Sequence, residues 1–151
     1  MPDHTEMDPE YDVDNVILAL ISNPSWTVRA KIDGKPVQMI VDTRSVVSVV
    51  DVTVFKRIGG VMNDLKPYST DLHAAGGHSL EVLGCNKMQL CVDSHCADLD
   101  IVVAKLGLPI ALLGMDYLSE FDCVLHLTNG VLRIDEEEVM LETLIRVCSW
   151  W

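Results

Sequence analysis

Residues 37–50 read Val-Gln-Met-Ile-Val-Asp-Thr-Arg-Ser-Val-Val-Ser-Val-Val, and this stretch decides the fold. An apolar segment typical of a buried strand runs directly into the polar residues Asp42 to Ser45, and a β-branched apolar run follows at once. Asp51 then suits the N-cap of a short helix that ends before Gly59-Gly60. This order predicts a strand, a loop that carries a carboxylate, and a short helix.

Strand signals also lie on both sides of this stretch. Residues 26–32 alternate apolar and polar side chains, which indicates a half-buried strand, and Asp33-Gly34 suits a tight hairpin turn into the strand that precedes Asp42. Four more strands are predicted from apolar or alternating runs: Leu80 to Val92, Ala97 to Ala104, Cys123 to Leu127 and Val131 to Ile134. The sequence therefore predicts an all-β fold.

Short helices are predicted between and after these strands. Met115 to Phe121 suits one, and Glu136 to Val147 suits a C-terminal one, because its apolar residues have helical spacing and its first turn is acidic. We therefore expect three parts: an acidic arm over residues 1–25 with an apolar segment at 16–21, a β domain over 26–135, and a C-terminal helical extension over 136–151.

Charge is concentrated at the two ends of the chain. Within a formal net charge of −12, residues 1–25 hold six acidic and no basic residues, and residues 135–151 hold five acidic and one basic. The segment between them is close to neutral, with twelve acidic and ten basic residues. Binding to a nucleic-acid backbone needs a basic patch, so nucleic acid is not an expected partner.

The five cysteines form an odd set without the spacing of a disulfide framework: Cys85, Cys91, Cys96, Cys123 and Cys148. We expect reduced thiols in a cytoplasmic or nuclear protein. A zinc site at Cys91, His95 and Cys96 would lack a fourth ligand and the usual paired spacing, so no metal or other cofactor is expected. The longest apolar runs, 16–21 and 106–113, are far shorter than the ~20 residues that cross a bilayer, so no membrane association is expected.

Asp42 is the candidate residue for the chemistry of an aspartic proteinase. Such an enzyme needs two carboxylates a few ångströms apart that share a proton, so that one acts as a base on water while the other acts as an acid towards the carbonyl. A chain of this length supplies only one such loop, so the second carboxylate must come from a symmetry mate. A two-fold homodimer is the assembly that follows.

The order of these features resembles that of retroviral and LTR-retrotransposon proteases, the retropepsin-like family, and of their domesticated host relatives. The similarity covers about residues 26–135. It is most specific in Val37 to Val50 and in Ile110 to Leu118, which reads Ile-Ala-Leu-Leu-Gly-Met-Asp-Tyr-Leu, and it is greatest to the Gypsy-type branch. The resemblance implies the acid protease fold, which is a closed β-barrel with ψ-shaped loops, and a two-fold homodimer.

The resemblance also implies roles for single residues. Asp42 would be the catalytic carboxylate, and Thr43 would hydrogen-bond across the dimer axis beneath the aspartate pair. Leu113 and Gly114 would form a second ψ-shaped turn that packs behind the Asp42 loop. Arg44 and Ser45, which follow Thr43, would contact bound peptide. Ala75, Gly76 and Gly77 would lie in a flap with a glycine tip that closes over the peptide.

Two features depart from the retropepsin pattern. The family has glycine where this chain has Arg44, and a long cation there would stand beside Asp42 and fill space for a substrate side chain. An acidic residue and an arginine that pair in many retroviral enzymes correspond to Val46 and Met115, which are both apolar. The retroviral ion pair is therefore absent as a unit.

The residue at position 44 separates two functional hypotheses. In the first, the domain is a retroelement-derived pseudoprotease that keeps the dimeric fold as a scaffold for binding a peptide or a protein. In the alternative, it is an active homodimeric aspartic endopeptidase that uses the Asp42 pair. In a third interpretation, Val16 to Ile21 and Glu136 to Val147 are docking surfaces for another protein.

Overall fold

The structure is a computed structural model that describes residues 26–69 and 80–143. The acidic arm with its apolar segment at 16–21, the flap residues Ala75, Gly76 and Gly77, and residues 144–151 lie outside the described residues. Among the described helices, none has the length and apolar character needed to span a membrane.

The described strands form a barrel and a small second sheet. The strands are β1 (Trp26–Ile32), β2 (Lys35–Val41), β3 (Val49–Asp51), β4 (Glu81–Val92), β5 (His95–Lys105), β6 (Ala111–Leu113), β7 (Cys123–His126), β8 (Val131–Ile134), β9 (Glu137–Met140) and β10 (Glu142–Thr143). Neighbours follow the order β1, β2, β6, β3, β5, β4, and β4 pairs back with β1, which closes six strands into a barrel. β10 also pairs with β1, and β7, β8 and β9 form the second sheet. The predicted all-β fold with a closed barrel is confirmed.

The first hairpin forms as its sequence predicts. β1 and β2 pair antiparallel around Asp33 and Gly34, whose φ angles of 51° and 82° are both positive. A two-residue turn with this geometry matches the twist of the strands, and glycine and aspartate tolerate it. The turn therefore fixes the register that brings the end of β2 to the Asp42 loop.

β2 is apolar without interruption at its end because it is buried on both faces. Met39 and Val41 pack in the main core with Phe55 and Tyr117, while Ile40 packs in a second cluster on the opposite face of the sheet. Alternate side chains of a strand point to opposite faces, so a strand covered on both sides needs an unbroken apolar run. This burial anchors the residue that comes next, Asp42.

Short helices support the barrel. They are α1 (Val52–Arg57), a 3-10 helix (Met62–Asp64) and α2 (Met115–Leu118). The predicted N-cap of α1 is confirmed, because the buried Asp51 accepts hydrogen bonds from the N–H groups of Thr53 at 2.9 Å and Leu106 at 2.8 Å and from the Thr53 hydroxyl. Asp51 therefore fixes both the helix and the end of β5.

The helix predicted at Glu136 to Val147 is wrong over the described residues 137–143. β9 pairs antiparallel with β8, and β10 pairs with β1 at Thr27 and Glu142. The turn before β9 contains Asp135 with a φ of 54°. Intrinsic helix preferences differ by less than about 1 kcal/mol per residue, and pairing with the open edge of β8 outweighs them here.

The expectation of reduced thiols is wrong for two of the cysteines. Cys91 and Cys96 form a disulfide across the hairpin of β4 and β5, where they are directly opposite each other. Cys85 and Cys123 are free thiols. The cytoplasmic or nuclear location stays a prediction.

Candidate active site

The Asp42 loop begins where two parallel strands end together. β2 pairs in parallel with β6, with Ile40 opposite Leu112 and Val41 opposite Leu113, and β6 also pairs with β3 on its other side. A third strand thus lies between the two strands that the Asp42 loop connects, which is the ψ-shaped arrangement. The N–H of Asp42 donates to the carbonyl oxygen of Leu113 at 2.9 Å, so the loop starts on the turn that follows β6.

Arg44 lies against Asp42 within the same loop. The backbone N–H of Arg44 donates to Oδ1 of Asp42 at 3.0 Å, and Nε of Arg44 is 3.8 Å from the same oxygen. The Asp42 side chain is 19% exposed and the Arg44 side chain is 67% exposed. A mostly buried carboxylate therefore carries an exposed guanidinium at its edge.

Gly114 is required because the Asp42 loop passes directly over it. A Cβ atom at this position would lie 2.4 Å from the carbonyl oxygen of Val47 and 2.9 Å from that of Ser45. The next residue, Met115, donates its N–H to the carbonyl oxygen of Ser45 at 2.8 Å. Leu113 and Gly114 thus pack behind the loop, and any side chain at position 114 would push the backbones apart.

A buried hydrogen-bond network at Ser48 and Asp116 locks the two turns together. The carboxylate of Asp116 accepts from the N–H of Ser48 at 2.9 Å and from its hydroxyl at 2.7 Å. The Ser48 hydroxyl oxygen in turn accepts from the N–H of Gly114 at 3.0 Å, and Ser48 is fully buried. No signal in the sequence marks this pair, since an aspartate in the first turn of a helix and a serine in a loop are common.

The remaining predicted loop residues divide between structural contacts and open surface. The Ser45 hydroxyl donates to the carbonyl oxygen of Val47 at 2.6 Å, so it stabilises the loop. Thr43 is exposed in the single chain. Val46 and Met115, at the positions of the retroviral ion pair, are 74% and 38% exposed. The surface next to Arg44 is therefore apolar. The flap residues Ala75, Gly76 and Gly77 lie outside the described residues, so their predicted role stays a prediction.

His95 and the two bonded cysteines do not form a metal site. His95 Nε2 is 3.4 Å from Asp135 Oδ2, and its Nδ1 is 3.3 Å from Glu137 Oε1. Its ring meets Phe121 edge to face at 5.3 Å. Across residues 26–69 and 80–143, no group of three or more His, Cys, Asp or Glu side chains is arranged to hold a metal ion. His95 instead links the tip of the β4–β5 hairpin to the turn before β9.

The buried Tyr117 phenol and the partly buried Cys123 thiol resist ionisation. Burial raises the pKa of the Cys123 thiol to about 11, and the negative charges of Asp135 and Asp122 act in the same direction. Burial also raises the pKa of the Tyr117 phenol well above its ordinary value. The Tyr117 hydroxyl donates to the carbonyl oxygen of His95 at 2.7 Å, which joins α2 to the β4–β5 hairpin. Both groups are structural and neutral at physiological pH.

Three solved structures are similar to this fold. The retroviral protease-like domain of Ddi1 from Leishmania major is similar with a TM-score of 0.61 and 18% identity, over 78% of this chain and 94% of that domain. The EIAV protease complexed with the inhibitor HBY-793 has a TM-score of 0.52 and 21% identity, over 62% of this chain and 85% of that one. A retropepsin-like aspartic protease from Rickettsia conorii has a TM-score of 0.50 and 18% identity, over 78% and 81%. The barrel and its ψ-shaped loops thus define a retropepsin-like aspartic protease domain.

The sequence match identifies the family. Residues 28–120, more than half of the 151-residue chain, match the family described as "gag-polyprotein putative aspartyl protease". The chain belongs to this family. At 18–21% identity the similar structures show the fold alone, so the chain's own activity has to be argued from Asp42 and its neighbours.

Proposed function

We propose that this chain forms a two-fold homodimer in which the paired Asp42 loops line a cleft with impaired catalysis, and that the dimer serves as a scaffold that binds a peptide or a protein. The observation that carries the proposal is the contact between Arg44 and Asp42. The proposed impairment and the proposed assembly have separate physical reasons.

The impairment follows from the cation that contacts the catalytic carboxylate. A pair of carboxylates works as acid and base only while the two hold one proton between them. In this chain a guanidinium stands 3.8 Å from the carboxylate, and in a two-fold dimer two guanidinium groups would face the pair. A guanidinium that contacts a carboxylate oxygen competes with the water and the substrate carbonyl that the pair has to bind. The arginine side chain also occupies a place that glycine leaves open to substrate.

The proposed dimer follows from the single Asp42 loop of each chain and from the exposed residues on that loop. Each chain supplies one Asp42 loop, and the loop surface includes the exposed Thr43 and the 74% exposed side chain of Val46. The exposed side chains of Val46 and Met115 together give this surface an apolar character that suits contact with another molecule. A second copy related by a two-fold axis would place the same residues opposite one another.

Position 44 gives the experiment that tests impairment. We expect the wild-type chain to cleave unstructured peptides weakly or not at all from mildly acidic to neutral pH, and to bind a statine-type transition-state analogue weakly. Arg44→Gly removes both the charge and the bulk, so it should increase cleavage. Adding Asp42→Asn to that variant should abolish the gain, which controls for a contaminating protease.

Arg44→Lys is the matched control, because it keeps the positive charge and should stay as inactive as the wild type. Efficient wild-type cleavage that is lost in Asp42→Asn would refute the impairment and favour the second candidate function, an active homodimeric endopeptidase. One observation favours that candidate: the Arg44 side chain is 67% exposed, so solvent screens the effect of its charge on the carboxylate.

A further inference from the structure

The disulfide between Cys91 and Cys96 lies on the outer face of the barrel. The two cysteines are directly opposite each other on β4 and β5, while Leu90 and Val92 on either side of Cys91 pack in the main core. Alternate side chains of a strand point to opposite faces, so the bond faces solvent. Cys96 is exposed and Cys91 is half-buried. A nucleophile from solvent therefore has access to the bond from the side of Cys96.

A lysine stands directly opposite the half-buried cysteine. The exposed Lys31 of β1 pairs with Cys91 in antiparallel register, and residues paired in this way lie on the same face with Cβ atoms about 5 Å apart. The acidic residue Asp98 of β5 is opposite Gln89, so it lies diagonally from Cys91 at a greater distance. The register therefore brings a cationic residue closer to Cys91 than this anionic one.

This arrangement suits thiol–disulfide exchange. A thiolate attacks one sulfur of a disulfide, the other sulfur leaves as a thiolate, and the exchange is faster when the leaving thiolate is more stable. A neighbouring ammonium group stabilises a thiolate. Attack on Sγ of the exposed Cys96 makes Cys91 the leaving group, and Lys31 then stabilises the negative charge that develops on it.

The tip of the β4–β5 hairpin, residues 92–95, lies directly beyond the disulfide and contacts two other elements. The carbonyl oxygen of His95 accepts from the Tyr117 hydroxyl of α2 at 2.7 Å. The His95 ring lies 3.4 Å from Asp135 and 3.3 Å from Glu137, at the turn before β9 and the start of that strand. The disulfide is therefore the covalent tie next to a hairpin tip that holds α2.

We propose that the Cys91–Cys96 bond is a redox-active disulfide that a dithiol reductant reduces in the folded protein, and that its reduction loosens the hairpin tip from α2. One thiolate of the dithiol attacks Sγ of Cys96, the sulfur–sulfur bond breaks, and its electron pair leaves on Sγ of Cys91, which takes up a proton. The second thiol of the reductant loses its proton and attacks the reductant's own sulfur in the mixed disulfide, which releases Cys96 as a thiolate that takes up a proton. Two electrons and two protons are transferred, so the reductant ends as a disulfide and the chain holds two thiols.

Reduction of the native full chain by dithiothreitol tests the first part of the proposal. Samples are quenched with acid, free thiols are alkylated, and peptides that carry Cys91 and Cys96 are quantified by mass spectrometry. We expect the rate to rise in proportion to the dithiothreitol concentration and to stay unchanged when urea is added below the unfolding transition. A rate that rises with urea in step with the unfolded fraction would overturn the proposal, because the bond would then be reduced only in unfolded chains.

Lys31→Glu tests the role of the neighbouring cation. It should slow reduction several-fold, and the difference from the wild type should shrink as salt is added, because ions screen exposed charges. Lys87→Glu is the matched control, since it makes the same charge change on the same face of β4, four residues and about 13 Å along the strand from Cys91. This exceeds the screening length of about 8 Å at physiological ionic strength, so the wild-type rate should be kept. Equal rates in the wild type and in Lys31→Glu would overturn the proposal.

Hydrogen–deuterium exchange tests the loosening of α2. The N–H groups of Leu118 and Ser119 donate to carbonyl oxygens at 3.1 and 2.9 Å in and next to this helix, so peptides that cover residues 115–121 report on it. Reduction should raise their exchange several-fold and leave peptides of α1 unchanged. Cys91→Ser with Cys96→Ser should show the raised level with and without reductant. Identical exchange in the oxidised and reduced wild type would overturn the proposal. None of these readouts uses peptide cleavage or dimer mass, so they are independent of the proposed function.

Discussion

At the level of single residues, the position of Asp42 depends on a carboxylate far along the chain. Asp116 accepts both donors of Ser48, which lies 68 positions away, and so joins the end of the Asp42 loop to the turn at Gly114. In many of the retroviral enzymes that this chain resembles, an ion pair occupies the positions of Val46 and Met115. Here a buried serine and a carboxylate hold the same two turns.

Removal of the Asp116 carboxylate should therefore destabilise the whole domain. Asp116→Ala leaves the N–H and hydroxyl of the fully buried Ser48 without acceptors. Hydrogen bonds to charged groups contribute about 1.5–3 kcal/mol, and an unsatisfied buried donor adds a similar penalty. We expect the free energy of unfolding to fall by about 3 kcal/mol in a urea titration.

Asp98→Ala is the control for this prediction, since Asp98 is an exposed residue of β5 and surface changes usually stay within about 0.5 kcal/mol. Equal unfolding free energies for the two variants would contradict the role of the network. Asp116→Asn should fall between them, because an amide can accept from one of the Ser48 donors only.

The raised pKa of Cys123 predicts a loss of stability at alkaline pH. The thiol ionises near 9.0 when unfolded and near 11 in the folded chain, so the unfolded state gives up its proton first as the pH rises. The stability that Cys123 contributes is complete below pH 9 and is lost between pH 9 and 11. Urea midpoints of the wild type should fall more steeply over that range than those of Cys123→Ser. Parallel curves for these two proteins would contradict the burial of the thiol, and Cys85→Ser serves as the matched control.

Asp42 and Gly114 could be located from sequence because each follows an apolar strand in a fixed order. Ser48 and Asp116 could not, since a hydrogen bond across 68 positions leaves no pattern in one sequence. Arg44 was correctly expected beside Asp42, and its 67% exposure depends on side-chain conformation, which residue order does not determine.

At the level of elements, the register of the β4–β5 hairpin decides whether Cys91 and Cys96 can form a disulfide. The predicted strands Leu80 to Val92 and Ala97 to Ala104 leave residues 93–96 as the loop, whereas the turn is Asp93-Ser94, where Asp93 has a φ of 52°, and β5 begins at His95. A turn shifted by one residue would place Cys91 opposite Asp98 instead of Cys96. The predicted strand ends therefore do not place the two cysteines opposite each other. Aspartate in a left-handed conformation closes the hairpin at Asp93-Ser94, and this register pairs Cys91 with Cys96.

The disulfide closes a short loop, so its effect on stability should be modest. Its cysteines are five positions apart, and the loop-entropy relation gives about 2 kcal/mol for a loop of this size. We expect Cys91→Ser with Cys96→Ser to lower the unfolding free energy by at most that amount. Reducing agent should lower the wild type to the level of the double variant and leave the variant unchanged. A wild type that is insensitive to reduction would contradict the bond.

The C-terminal strands illustrate the limit of spacing arguments. Leu141, Leu144 and Ile145 have helical spacing, but Val139 and Leu141 are two positions apart, as in a strand whose alternate residues are covered, and Leu141 is 8% exposed. Only the partner strand distinguishes these possibilities. β8 supplies that partner for β9, and β1 supplies it for β10, so tertiary pairing decided what local preference left open.

At the level of the whole molecule, the strands close into a barrel, while Thr43 and Val46 of the Asp42 loop are exposed to solvent in the single chain. Removing residues 136–151 would delete β9 and β10 and break their pairing with β8 and β1, so loss of dimerisation in that deletion would not identify the interface. Substitutions at exposed loop residues are more informative. Thr43→Ala leaves the described strands unchanged and should weaken the dimer if this residue lies at the two-fold axis.

Sedimentation equilibrium of the full chain at micromolar concentration is the most direct test of the proposed assembly, on which a site made from two Asp42 loops depends. We expect a mass of about twice the 16.7 kDa of one chain, and a shift towards monomer in Thr43→Ala at the same concentration. A wild-type mass of 16.7 kDa at micromolar concentration would contradict the proposed dimer, because a monomer has a single Asp42 loop and no paired cleft.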